Sequence, residues 1–564
     1  MVPTSQQQRP WLVALWVALA MNLLNLFEPL TVDDVCHHYY AAQVAAAPLD
    51  PYGFDLVWHQ KPAPAWDVMV APVHSYYWAP AIRLFGDSPV AWHLWFLPVH
   101  WLFCHGLLLL LRRFARPHAA PLLAAIALGP NVLPGVNLML EVPMLALAFA
   151  SLNVLLRAFD QKSLGLAVGA GCLFGLAFQT KYSAMGFFAP WVLFGIWRAR
   201  PRELLVGLAA AACTALGIEG LIALSHGSGS YFLRCLELTQ RRDWHHLSRG
   251  LLLHVAVLGM PAALLALRGF GLRGITVVLV AAVYAFGYVG IAMVRDDDDR
   301  SAMEGAIDSL GYLAMAAVTW GTAAWLLLRL SWRGLRRLLR RGSWRGLPAA
   351  MRGGLFLAAW FACELVSSLV VSPFPAARRV LMITVAFTIA AGWLCARRRG
   401  TSTTVRNVAI ASVLLGIGYQ AIDFIEGRAW VSAATGTVDY ARRLDPQAKV
   451  FFTGGWGFEF YAPRAGMAPL LRDVTTVQRG DFIAVGSIDG DELPWFEWSG
   501  KMEKVDELAF GTDGLPLSVQ QNYYSGRRPL DNQATARFFV FVFRAVESFS
   551  TRELVARPNE WLGR

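Results

Sequence analysis

Two adjacent carboxylates, Asp33 and Asp34, stand in the run Thr31-Val32-Asp33-Asp34, directly after an apolar stretch that begins at Trp11. A carboxylate held at such a point can take a proton from an attacking hydroxyl. Cations able to hold a phosphate recur farther along, at Lys181 and at the Arg378-Arg379 pair, and another acid, Glu141, opens a further apolar run. A base and cations together are the equipment of group transfer from a phosphate leaving group, the base accepting the proton and the cations neutralising charge on the departing oxygen.

Each of these residues also has a purely local reading. Thr31 suits a helix N-cap and Asp34, three residues on, suits the acid of a capping box, which leaves Asp33 to point elsewhere. Glu141 favours a helix N-terminus, Lys181 can snorkel, and the arginine pair can meet lipid headgroups. His37 and His38 follow the aspartates at i and i+4, so a divalent-metal site stays open as an alternative, although two such ligands are not a site. The Asp296 to Asp299 run lacks the spacing of a calcium loop and reads as a solvated turn.

The elements that must position these groups are apolar. Of 564 residues, 56% are hydrophobic, and the mean hydropathy is +0.43. Apolar runs of roughly 18 to 22 residues fit a hydrocarbon core about 30 Å thick, and each must be helical because lipid offers the backbone no partner. Thirteen such runs are expected, from 11–30 through 274–293 to 406–425, the first a retained anchor rather than a cleaved signal. The net charge of +11 gathers in short loops such as Arg112 to Arg116, Arg198 to Arg202 and Arg397 to Arg399. That asymmetry sets these loops in the cytosol and excludes a nucleic-acid footprint.

Seven cysteines form no CxxC pair, which argues against a zinc or redox site; a bridge between Cys36 and Cys235 is open, both falling on the outer side. The tail from residue 427 changes composition. Short apolar strands at Val450 to Thr453, Asp481 to Val485 and Phe538 to Phe543 alternate with helical stretches at Tyr440 to Leu444 and Gly457 to Ala465, which predicts a small α/β domain with a mostly parallel sheet.

The long first loop, 31–88, continues through Asp50-Pro51-Tyr52-Gly53-Phe54 and Ala71-Pro72-Val73-His74-Ser75-Tyr76-Tyr77-Trp78 to Arg83-Leu84-Phe85-Gly86. With Glu141-Val142-Pro143 and Thr180-Lys181-Tyr182-Ser183, this order of motifs resembles the GT-C membrane glycosyltransferases that use polyprenyl-phosphate sugars, near the lipid A aminoarabinose transferase and protein O-mannosyltransferase group. The chain departs from that family at Ala71-Pro72-Val73-His74, where His-Pro-Pro or Asn-Pro-Pro is common.

The resemblance implies an all-α polytopic membrane protein of GT-C type with about 13 transmembrane helices, residues 1–426, and an outward α/β domain, residues 427–564. It implies a glycosyltransferase of the bacterial inner membrane that inverts the anomeric centre and works without cofactor or metal. The sugar passes from a polyprenyl-phosphate carrier to a hydroxyl on a lipid, glycan or protein acceptor at the outer face. Asp33 is then the base, with Asp34 and Glu141 the accompanying acids, and Lys181, Tyr76 and His74 meet phosphate or sugar; beside the resemblance, Arg378 and Arg379, near an outer helix end on the same membrane face, are expected to help Lys181 hold the phosphate. A transporter or flippase of lipid-linked sugar, or a non-catalytic relative, are the alternatives; a transporter would show charges or Gly/Pro breaks deep within its helices.

Overall fold

A computed structural model of the chain describes residues 9–57, 62–68, 71–226, 244–272, 276, 279–280, 283, 302–341, 347–372, 374–454, 456–488, 500–512, 515, 518–524 and 537–554. Contacts divide it into two compact units, the first made of residues 1–26, 93–420 and 522–530.

The described regular structure of this first unit is helical. Among the described residues six helices are long and apolar enough to cross a membrane by length and composition: Pro89–Ala127, Glu141–Gln161, Pro201–His226, Leu310–Arg340, Ala349–Val370 and Ser402–Leu444. A seventh is made by Leu247–Leu258 and Met260–Phe270 if the pair, bent by 62°, counts as one. Pro261 supplies the bend, because it has no N–H and its ring crowds the carbonyl of the preceding turn. Thirteen spans were expected; the run expected at 274–293 lies largely outside the described residues, and Pro10–Leu24, Leu164–Phe178 and Leu381–Cys395 are shorter apolar helices.

Small residues let these helices approach closely. A Cβ added to Gly171 of Leu164–Phe178 would collide with the carbonyl oxygen of Gly207 in Pro201–His226. The helix Leu381–Cys395 is buried at every one of its 15 positions, and its two threonines, Thr384 and Thr388, donate to the carbonyls of Leu381 and Thr384.

The second unit comprises residues 27–92, 421–521 and 531–564, so the first loop groups with the tail. The helix Ser402–Leu444 runs for 43 residues out of the first unit into the second, and the boundary expected between residues 426 and 427 falls inside it. The stretch expected to be helical at Tyr440 to Leu444 is its last turns, and the next helix is Trp456–Ala465.

The tail sheet has the order Ala468–Pro469, Val450–Thr453, Phe482–Ile488, Arg537–Ala545, Met502–Gly511. Val450–Thr453 pairs parallel with both its neighbours, while Arg537–Ala545 pairs antiparallel with both of its own. The sheet is therefore mixed rather than mostly parallel, two of its pairings being parallel and two antiparallel. Alternation along Phe482–Ile488 covers both faces. Phe482 and Ala484 pack with Trp430, Ala433, Phe458 and Ala462 of the two helices, while Ile483 and Val485 pack with Val477, Phe549 and Leu554.

Candidate functional site

The helical unit brings together residues that lie up to 238 positions apart in the chain. Glu141 is the first residue of Glu141–Gln161, Lys181 immediately precedes the 3-10 turn Tyr182–Phe187, and Arg378 and Arg379 lie on the 3-10 turn Ala377–Arg379 that leads into Leu381–Cys395. Lys181 Nζ pairs with Glu141 Oε1, and Arg378 approaches the same oxygen at 4.0 Å. All three side chains are buried or nearly so, and an ion pair at this depth persists only when its charges offset one another. The arginine planes lie beside aromatic rings, Arg378 at 5.8 Å from Phe374 and 5.9 Å from Tyr524, and Arg379 at 5.0 Å from Phe374. Tyr524 is itself fixed by the bond its hydroxyl donates to the Pro134 carbonyl at 2.7 Å.

The neighbours of Lys181 are held as well. Gln179 Nε2 and the Tyr182 hydroxyl both donate to Glu219 Oε1, each at 2.9 Å, and the Gln179 amide reaches the Ala215 carbonyl at 3.2 Å. A carboxyl buried inside an apolar helix is costly unless bonded in this way, and here it braces the chain on both sides of the lysine.

Glu141, Lys181, Arg378 and Arg379 line one cavity, together with Glu364 and Ser367 of the helix Ala349–Val371. Three cationic side chains and two carboxyls leave a surplus positive charge even with both acids ionised. A buried cavity of that composition favours an anion with several acceptor oxygens, because charge-assisted hydrogen bonds offset the burial of the cations. Sequence reasoning passed over Glu364, which is buried and accepts a bond from Trp360 Nε1 at 2.9 Å.

Asp33 and Asp34 belong to the second unit, at the start of the helix Asp33–Ala46. The capping box expected here is half formed. Asp34 Oδ2 accepts from the Thr31 N–H at 3.4 Å, but the N-cap is Val32, with φ +49°, and the Thr31 hydroxyl returns no bond. Thr31 is thus not the cap, because the chain turns through a left-handed conformation at a β-branched residue, which costs free energy and sets the angle at which Asp33 emerges. Asp34 is buried and Asp33 half-buried.

His37 and His38 of the same helix meet rings. His37 faces the His74 ring edge-on at 5.5 Å, and His38 lies against Trp78, Trp92 and Phe460. Among the described residues no three His, Cys, Asp or Glu side chains gather so as to hold a metal ion. Burial, reinforced by Arg464 and opposed by Asp87, brings the His38 imidazole down to about 4. His74 is buried, whereas Tyr76 is more exposed and its hydroxyl donates to the Pro48 carbonyl at 2.6 Å. Trp244 to His246 open the helix Trp244–Leu258 of the other unit, and Cys235 lies outside the described residues.

The second unit adds an acid that sequence reasoning did not single out, Glu459 of Trp456–Ala465, whose carboxyl burial pushes up to about 8. The Cys36 thiol is raised by burial first, then by the charges of Asp33 and Glu459. The loop is fastened to that tail helix at two points. The Leu30 N–H donates to the Tyr461 hydroxyl at 2.8 Å, and Arg464 grips both Asp87 oxygens at 3.2 Å while lying 3.5 Å from the Phe460 ring centre.

No family model matches the chain, and no curated protein matches it in sequence. Among solved structures, ArnT from Cupriavidus metallidurans in the apo state superposes with a TM-score of 0.37 at 14% identity, over 84% of this chain and 92% of that one. ArnT from Cupriavidus metallidurans bound to undecaprenyl phosphate gives the same values, 0.37, 14%, 84% and 92%. A likeness of that score establishes neither a shared fold nor a shared activity.

Proposed function

We infer that the chain is an integral membrane glycosyltransferase that moves one sugar from a polyprenyl-phosphate carrier to a hydroxyl acceptor at the outer face of the inner membrane. The observation that carries this reading is the buried cavity in which Lys181, Arg378 and Arg379 surround Glu141 with positive charge in excess. A phosphate monoester or diester linked to an apolar chain supplies both the oxygens such a cavity calls for and the tail that apolar helices can flank.

In the reaction, the acceptor oxygen bonds to the anomeric carbon as the bond from that carbon to the phosphate oxygen breaks. The electron pair leaves with the phosphate, which is already ionised and needs no general acid. Lys181 and the arginines stabilise the charge that builds there, and Glu141 orients Lys181. Asp33 takes the acceptor proton, an assignment that rests on the resemblance of the first-loop motifs alone. Outward placement of the loop and tail follows from the arginine asymmetry, and a reporter active only outside the cytosol, fused after Arg564, tests it.

One observation favours a second reading, transport of a lipid-linked sugar. Glu219 and Glu364 are buried within apolar helices, and Leu247–Leu258 with Met260–Phe270 is broken at Gly259 and Pro261, features that suit a moving pathway. Purified protein in sealed lipid vesicles, given a polyprenyl-phosphate sugar and a hydroxyl acceptor, separates the two. A transferase releases free polyprenyl phosphate and glycosylated acceptor, whereas unchanged donor appearing in the opposite leaflet of a vesicle with no product would overturn the transferase reading.

A further inference from the structure

We propose that Glu364, with Ser367 and Ser368, is a subsite for the hydroxyl-bearing group that the phosphate carries, and that it decides which lipid-linked polyol the cavity accepts. The inference deepens the reading above and rests on the cations being the phosphate holders. The cavity has two chemically different contributors. One carries the cations Lys181, Arg378 and Arg379, and the other is a polar stripe on the helix Ala349–Val371, where Glu364, Ser367 and Ser368 recur at i, i+3 and i+4 and share one helix face. Ser372, just past the helix end, and Ser183 join the same lining.

A phosphate has no use for a carboxyl, since neither donates to the other when both are ionised. A sugar does, because its hydroxyls donate and a carboxylate oxygen accepts more strongly than any neutral group. Serine hydroxyls both donate and accept, so they complete the pairing with ring or ring-substituent oxygens. Cations on one part of a lining and a carboxyl with hydroxyls on another are therefore matched to a ligand that has phosphate at one end and hydroxyls at the other.

Glu364 is also held in place, as a selecting group must be. Trp360 Nε1 donates to one oxygen at 2.9 Å, and Gly186 of the turn Tyr182–Phe187 leaves room for the other: a Cβ built there would stand 2.8 Å from Glu364 Oε2 and 3.3 Å from Ser367 Oγ. Glycine at 186 is thus what permits the carboxyl to sit where it does. Alanine at that position would shift the carboxyl while touching none of the cations.

The test measures affinity of the full chain in lipid discs for sugar-free polyprenyl phosphate and for a panel of polyprenyl-phosphate pentoses and hexoses, in wild type, E364Q, G186A and K181A. Wild type should hold at least one sugar-bearing carrier more tightly than the sugar-free one. E364Q should keep its affinity for the sugar-free carrier and lose roughly 10-fold or more of the preference for sugar, the effect of one charge-assisted hydrogen bond. G186A should blur the preference among sugars in the same direction, and it decides the matter if E364Q does not fold. K181A should weaken both carriers alike. An unchanged preference in folded E364Q and G186A overturns the subsite and leaves the phosphate reading standing. Equal loss of both carriers in E364Q also overturns it, since Glu364 would then support the cations. Undiminished binding of sugar-free carrier by K181A overturns the phosphate reading, and the subsite falls with it.

Discussion

The helical unit and the loop-and-tail unit treat charge in opposite ways. In the first, Lys181, Arg378 and Arg379 converge on Glu141 in a cavity whose surplus is positive. In the second, the buried acids Glu28, Asp34 and Glu459 share the interior with tyrosines, histidines and tryptophans. Cations that must hold an anion gain from being gathered, whereas an acid that must accept a proton gains from surroundings that penalise its charge. Under the proposed function the two units divide the labour, with the anion held in the helical unit and the acceptor proton taken by Asp33 in the other.

The change that strikes this contrast hardest is Asp33→Asn, which keeps the shape and removes the proton acceptor. Turnover should fall by roughly 100-fold or more with donor affinity retained. Asp34→Asn should cost about 1 kcal/mol of local stability and leave appreciable turnover, since Asp34 serves the Thr31 N–H. Equal losses in the two variants, at matched expression and monodispersity, would remove Asp33 as base.

Next in size is Lys181→Ala, which acts on the other side of the division. Loss of one charge-assisted contact should weaken donor binding by about 1.5 to 3 kcal/mol while the affinity for acceptor holds. Titration calorimetry with donor alone and acceptor alone reads the two apart. If both are unchanged, the lysine is an anchor and the division fails.

The smallest effect concerns pH. The Glu459 carboxyl goes from its ordinary 4.5 to about 8 on burial, so the folded protein holds a proton that the unfolded chain releases. Stability should therefore fall as pH rises through the window between those values, and Glu459→Gln should flatten the slope. A thermal melt series from pH 5 to 9 that shows the same slope in both proteins would place the Glu459 carboxyl in water.

Much of the cation cluster was legible in the sequence because Glu141, Lys181 and the arginine pair each interrupt an apolar pattern at the end of a run. Glu364 was not, because it lies inside a 23-residue helix where one acid looks like an isolated break. The signal was there in Ser367 and Ser368, one turn on along the same face. Thr31 misled through chemistry that was locally sound. An N-cap requires the next residue to enter the helix, and Val32 at φ +49° does not. The three strands named were found nearly where they lie, but the edge strand Met502–Gly511 and the sheet's mixed pairing were missed, since strand direction depends on partners distant in sequence, such as Phe482 with Arg544.

The helix Leu381–Cys395, enclosed on every side, has a consequence for how the cavity meets its ligand. Arg378 and Arg379 stand on the turn that begins it, so their backbone is fixed by the packing of fifteen buried residues before any anion arrives. The loss of conformational freedom then falls on folding rather than on binding, and the positive field is aimed without reorganisation when charge develops. Such a site is preorganised: apolar substitutions deep in that helix, far from any ligand atom, should be felt as lost rate as much as lost stability.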